Sequence, residues 1–202
     1  MRHILCSGIL LCCAMLVACN EEQPSPPRAN QTLAESNPLA EVKAEVAKDP
    51  KNADAWYHLA DLYERSGMYS EEAEALLKVI SIDPAREAAY VKLGTAYNRL
   101  GRYPDAITQF KKAVKLKPKN PVVYNNMAFA YGRTGKTEEQ ISALKQAISL
   151  RPSYASAHYN LGMVYLQRKD REHALQQYAA LKNIDDAFAA SLKKEIDARS
   201  GR

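Results

Sequence analysis

The groups most capable of chemistry in this 202-residue chain are its sulfurs and imidazoles, and their placement rules out most of what they could do. Cys6, Cys12, Cys13 and Cys19 are its four cysteines, all in the first tenth of the sequence, so no disulfide framework can staple the remainder. His3 is the one histidine near them, too little for a metal site. His58, His158 and His173 are scattered, with neither a His-Glu-x-x-His helix nor a glycine-rich phosphate cradle. No nucleophile stands with a base and an orienting third group. The chain therefore reads as a non-enzyme, with no catalytic residue, metal ligand or cofactor to assign.

Cys19 differs because of what flanks it. Arg2 gives the start of the chain one positive charge, and residues 4–17 (ILCSGILLCCAMLV) form an uncharged run of 14. That is the core length of an export signal, whereas a membrane span needs about 20 apolar residues. A buried helix of a domain is a poor alternative, because the polar, proline-rich NEEQPSPP that follows would leave it without a partner. Leu16-Val17-Ala18-Cys19 resembles the lipobox of bacterial lipoproteins. The resemblance implies that residues 1–18 are a signal peptide and that Cys19 becomes the first residue, carrying a thioether-linked diacylglycerol and an N-acyl chain. Each buried methylene contributes about 0.8 kcal/mol, so two or three chains hold a domain on a bilayer where one would not. Asn20, in place of an aspartate after the cysteine, implies by the same resemblance the outer membrane, facing the periplasm. Residues 19–37 are then the lipidated cysteine and a flexible tether, too poor in apolar groups to fold, with a span on the order of 25 Å.

The elements that must position anything else repeat. A chain 47% apolar and 25% charged can fold, and a net charge of +5 without a basic stripe gives nucleic acid no footing. Pro50, Pro84, Pro118 and Pro152 are spaced by 34 residues. In that register Trp56, Tyr90, Tyr124 and His158 align, as do Leu59, Leu93, Met127 and Leu161, the small residues Ala60, Gly94, Ala128 and Gly162, and Tyr63, Tyr97, Tyr131 and Tyr165. The second half of the period aligns Gly67, Gly101 and Gly135, then Leu76, Phe110, Leu144 and Tyr178, then Ile82, Leu116, Leu150 and Ile184. Apolar residues three or four apart make one sticky stripe per helix. The glycines end each first helix in a left-handed turn and the prolines close each second helix.

This pattern resembles the tetratricopeptide repeat family. The resemblance implies an all-α, right-handed superhelical solenoid of helix-turn-helix units at 53–86, 87–120, 121–154 and 155–188. Residues 38–52 read as an N-terminal capping helix. Residues 187–198 read as a C-terminal one, with Phe188, Leu192 and Ile196 at four-residue spacing. Several positions depart from the pattern. Glu72 and Gln140 stand where the second helix usually presents alanine, which predicts looser packing in the first and third units. Thr137 with Gln140 predicts a capping box, and Pro104 is expected at the first position of its helix. Lys169 replaces the turn glycine of the fourth unit and Asp186 its closing proline.

In this family the first helix of each unit lines the concave face. Carried onto this chain, that selects Tyr57, Asp61, Glu64 and Arg65; Val91, Thr95, Asn98 and Arg99; Asn125, Phe129 and Arg133; and Tyr159, Met163 and Gln167. Val91, Phe129, Tyr159 and Met163 are apolar groups that the stripe between helices does not require, and they suggest a protein-binding groove. Arg65, Arg99 and Arg133 recur at 34. They fit either a clamp for carboxylates or, with more weight, partners for the negative end of the first helix. The Lys and Asn pattern of carboxylate-clamp adaptors is absent.

The resemblance implies a membrane-anchored scaffold that holds an extended segment or helix of another envelope protein and assists assembly of an envelope complex, pilotin-like for a type IV pilus secretin. The alternatives are an adaptor recruiting peptidoglycan hydrolases or cell-division factors, a homo-oligomer using the same groove, and an enzyme subunit whose site the repeats conceal.

Overall fold

The computed structural model describes residues 37–200, and among them are ten helices and no strand. The export segment, Cys19 and the tether up to residue 36 lie outside the described residues. The helices are α1 (Pro38–Lys48), α2 (Ala53–Arg65), α3 (Tyr69–Ile82), α4 (Glu87–Arg99), α5 (Tyr103–Leu116), α6 (Pro121–Arg133), α7 (Thr137–Leu150), α8 (Ala155–Gln167), α9 (Arg171–Leu181) and α10 (Asp186–Ser200). Helices α2 to α9 pair as four antiparallel hairpins, and each second helix also packs on the first helix that follows, giving a solenoid. Helix α1 covers α2, and α10 lies against both α8 and α9.

Local chemistry sets where each helix starts and stops. The side chain of Asn52 accepts from the backbone N–H groups of Asp54 and Ala55, and that of Asn120 from Val122, so these caps satisfy donors that a helix start leaves open. Gly67, Gly101 and Gly135 take φ values of 71°, 74° and 73°, in the left-handed region that glycine enters at least cost. The residue after each turn then donates to the carbonyl of the tyrosine column: Met68 to Tyr63, Arg102 to Tyr97 and Lys136 to Tyr131. These bonds close the helix end in a Schellman arrangement. Lys169 adopts the same turn at φ 60°, with the Asp170 N–H donating to the Tyr165 carbonyl.

The core is the aligned stripe. Leu59, Leu93, Leu161, Leu76, Phe110 and Leu144 are at most 3% exposed. A Cβ at Gly94 would come within 2.6 Å of the Phe110 ring, which is why this unit pairs Gly with Phe where its neighbours pair Ala60 with Leu76 and Ala128 with Leu144 in the same columns. A Cβ at Gly162 would meet Leu192 of α10 at 2.5 Å, so that glycine admits the last helix. The column of Trp56, Tyr124 and His158 does a second job: their side chains lie 3.0, 3.1 and 2.9 Å from the carbonyls of Pro50, Pro118 and Pro152. The imidazole of His158 is thus a packing and tethering group, with Nδ1 2.9 Å from the Gln177 amide.

Four expectations change. Pro104 takes the second position of α5, because Tyr103 opens the helix. Thr137 and Gln140 form no capping box: Lys136 is the cap residue, and the Gln140 amide lies where a Cβ at Gly132 would stand. Packing at Glu72 is tight, with 2% exposure. Helix α9 stops at Leu181, so Ile184 falls in the turn, and Asp185 caps α10 by accepting from Ala187 and Phe188 at 3.0 Å.

Candidate functional site

Helices α2, α4, α6 and α8 carry the lining residues, and polar side chains join each to the next. At the first joint Lys92 of α4 reaches back to α2, 2.7 Å from Asp61 and hydrogen-bonded to Glu64. Burial alone would lower this ammonium's pKa, but its hydrogen bonds to both carboxylates outweigh that and hold it above the ordinary lysine value. The Tyr57 ring has Arg86 at 4.4 Å and Lys92 at 5.7 Å from its centroid, and burial raises the phenol's pKa. Behind the joint, Glu72 of α3 has its carboxyl pushed up to about 7, by burial first and then by the charge of Glu64.

Further along, amides replace charges. The Asn98 amide donates to the Asn126 carbonyl at 3.2 Å, and the Asn160 amide to Asn125 Oδ1 at 3.0 Å. Two cavities open beside these joints. One, of about 260 Å³, is lined by Thr95, Asn98, Arg99, Asn126 and Phe129. The other, of about 190 Å³, lies among Ala128, Phe129, Gln140, Asn160, Met163 and Gln167. Phe129 is the wall they share, 52% exposed, with its ring edge-on to Tyr103 at 6.1 Å. Covering the rest of a phenyl ring contributes on the order of 1 kcal/mol or more to whatever covers it.

The fold therefore brings Thr95, Asn98, Arg99 and Phe129 together, and Phe129 with Met163 and Gln167. Tyr57, Asp61 and Glu64 cluster separately at the ionic joint. Val91 is half-buried against the core, and Tyr159 packs at 5.4 Å on Phe188 of α10, so both serve the fold as well as the face. Arg65 is exposed at the first unit. The arginine ladder has a cause beyond the helix ends: Arg99 stacks over Tyr69 at 5.1 Å and donates to its hydroxyl at 3.2 Å, and Arg133 stacks over Tyr103 at 5.2 Å. Each arginine sits on the tyrosine that opens the second helix of the preceding unit. Tyr69 and Tyr103 are themselves 34 apart, a signal the sequence reading left unused. Lys92, Asn126 and Asn160, also missed, form another column at the same spacing, next to the lining positions.

Family comparisons agree with this architecture. The description "Tetratricopeptide repeat" matches residues 32–113 and 155–188, and "TPR repeat" matches 94–135 and 133–169, so together they run through every hairpin. The chain belongs to the tetratricopeptide repeat family. No curated protein matches this repeat protein. Among solved structures, MamA is 22% identical with a TM-score of 0.71, over 75% of this chain and 89% of that one. YrrB, described as a TPR protein with an unusual peptide-binding site, is 24% identical with a TM-score of 0.68, over 77% and 81%. TTC0263, a thermophilic TPR protein of Thermus thermophilus, is 22% identical with a TM-score of 0.62, over 78% and 88%. Identities of this size speak to the fold.

Proposed function

We propose that this repeat protein is an interaction scaffold of the cell envelope, tied to the membrane by lipid on Cys19, and that its concave face holds an extended segment or helix of another envelope protein. The observation that carries the reading is Phe129, a half-exposed aromatic between two cavities that amide and charged side chains also line. An apolar anchor ringed by hydrogen-bonding groups is the anatomy of an interaction hot spot. The Asn98 side-chain oxygen beside it is buried with no hydrogen-bond partner among the described residues. Because the helices build the face before a ligand arrives, binding loses little ordering entropy on this side. YrrB, a TPR protein with an unusual peptide-binding site, is a precedent on the same fold. The lipid anchor and the outer-membrane, periplasm-facing location rest on Leu16 to Asn20, outside the described residues. Within the envelope, assembly of a pilus-secretin-like complex is the preferred role, with recruitment of peptidoglycan hydrolases as the second reading.

The test is photo-cross-linking from the Gln167 position of the full chain in cells, with and without Phe129→Ala. Capture should fall about tenfold or more in the variant, the size of a hot-spot loss, while its melting temperature stays close to wild type. Unchanged capture would remove the groove from the reading. Cys19→Ser should move the protein from the membrane to the soluble fraction, and normal membrane retention would defeat the anchor.

A further inference from the structure

Behind the ionic joint lies a group that the interaction reading does not use. Glu72 is 2% exposed, and its Oε2 has no hydrogen-bond partner among the described residues. The other repeats fill this column with Ala106, Gln140 and Ala174, none of which can carry charge. The charged groups bearing on Glu72 are Asp61 and Glu64 from α2 and Lys92 and Arg99 from α4. Both cations are already engaged, Lys92 with Asp61 and Glu64, and Arg99 with Tyr69. A third carboxylate here would be buried, with one oxygen sealed from water and lacking a hydrogen bond, and beside two like charges, which is the setting in which a carboxyl keeps its proton.

We propose that Glu72 is a proton-binding switch at the joint between the first and second repeats. Protonated, it packs as a neutral side chain beneath Lys92 and its two carboxylates. When the proton leaves to water, the new charge competes with Asp61 and Glu64 for Lys92 and loosens α2 from α4. The folded-state pKa, about 7, is raised above the ordinary 4.5. The contribution of Glu72 to the joint is therefore fully present below the lower value and is lost as pH rises through the upper one. No ligand is needed for this response, so it stands or falls apart from the groove.

Hydrogen exchange of the full chain, corrected for intrinsic rates, tests it between about pH 5 and about pH 8. Protection across 57–65 and 87–99 should fall about tenfold or more as pH rises through neutrality, while 155–167 keeps its protection. Glu72→Gln should abolish the pH dependence and hold both segments protected at the alkaline end. His58→Gln, at the exposed histidine of α2, should leave the response in place. A flat wild-type profile, or a profile that survives Glu72→Gln, would overturn the proposal. Should Glu72→Gln not fold, Glu64→Gln is the second arm. Removing that like charge makes ionised Glu72 easier to accommodate, so the midpoint of the response should move to lower pH. An unmoved midpoint would also overturn the proposal.

Discussion

Where α4 meets α2 the bridge between repeats is made of charge, and where α8 meets α6 it is made of amides, yet one column of the repeat builds both. Lys92 bridges to Asp61 and Glu64, and Asn160, two periods later, donates to Asn125. The stripe beneath is the same in each case, with Leu93 and Leu161 at most 2% exposed. Burial of that stripe holds successive hairpins together, which leaves the concave column free to vary in chemistry. The ionic version makes one end of the solenoid sensitive to pH and salt; the amide version puts an uncharged bridge beside Phe129, whose cavity lining has Arg99 as its cation.

Breaking the two joints separately should expose the difference. Lys92→Met removes the cation from Asp61, Glu64 and Glu72 and should cost about 2 kcal/mol at neutral pH, as for a partly buried charge losing its partner. The loss should shrink at high salt, which screens the ion pairs, and denaturant titration at two ionic strengths reads it. Asn160→Ala should cost about 1 kcal/mol, one hydrogen bond plus an unpaired amide oxygen on Asn125. That cost should be the same at low and high salt, and a salt-dependent value would erase the distinction between the joints. Lys169→Gly, far from both, relieves a left-handed lysine against the added freedom of glycine in the unfolded chain and should gain about 0.5 kcal/mol, seen as a small rise in melting temperature.

Much of the architecture was legible because it depends on neighbours close in sequence. Glycine in a left-handed turn, a tyrosine carbonyl five residues before the donor that closes the helix, and an apolar stripe at three- and four-residue spacing are local events. The lining positions were implied by the family resemblance, laid onto that register. The misreadings arose where a side chain chose between a local and a distant partner. Gln140 gave up a capping box for the space beside Gly132.

By itself, then, the sequence determined the repeat length, the turns and the buried columns, since each is written within 34 residues and repeated. Tertiary structure alone decided what meets across repeats: Arg99 on Tyr69, Lys92 between two carboxylates, Glu72 sealed behind them, and Phe129 left half-open between two cavities. Those contacts depend on the rotation and spacing of one hairpin against the next, which packing of whole helix surfaces sets and no single period encodes.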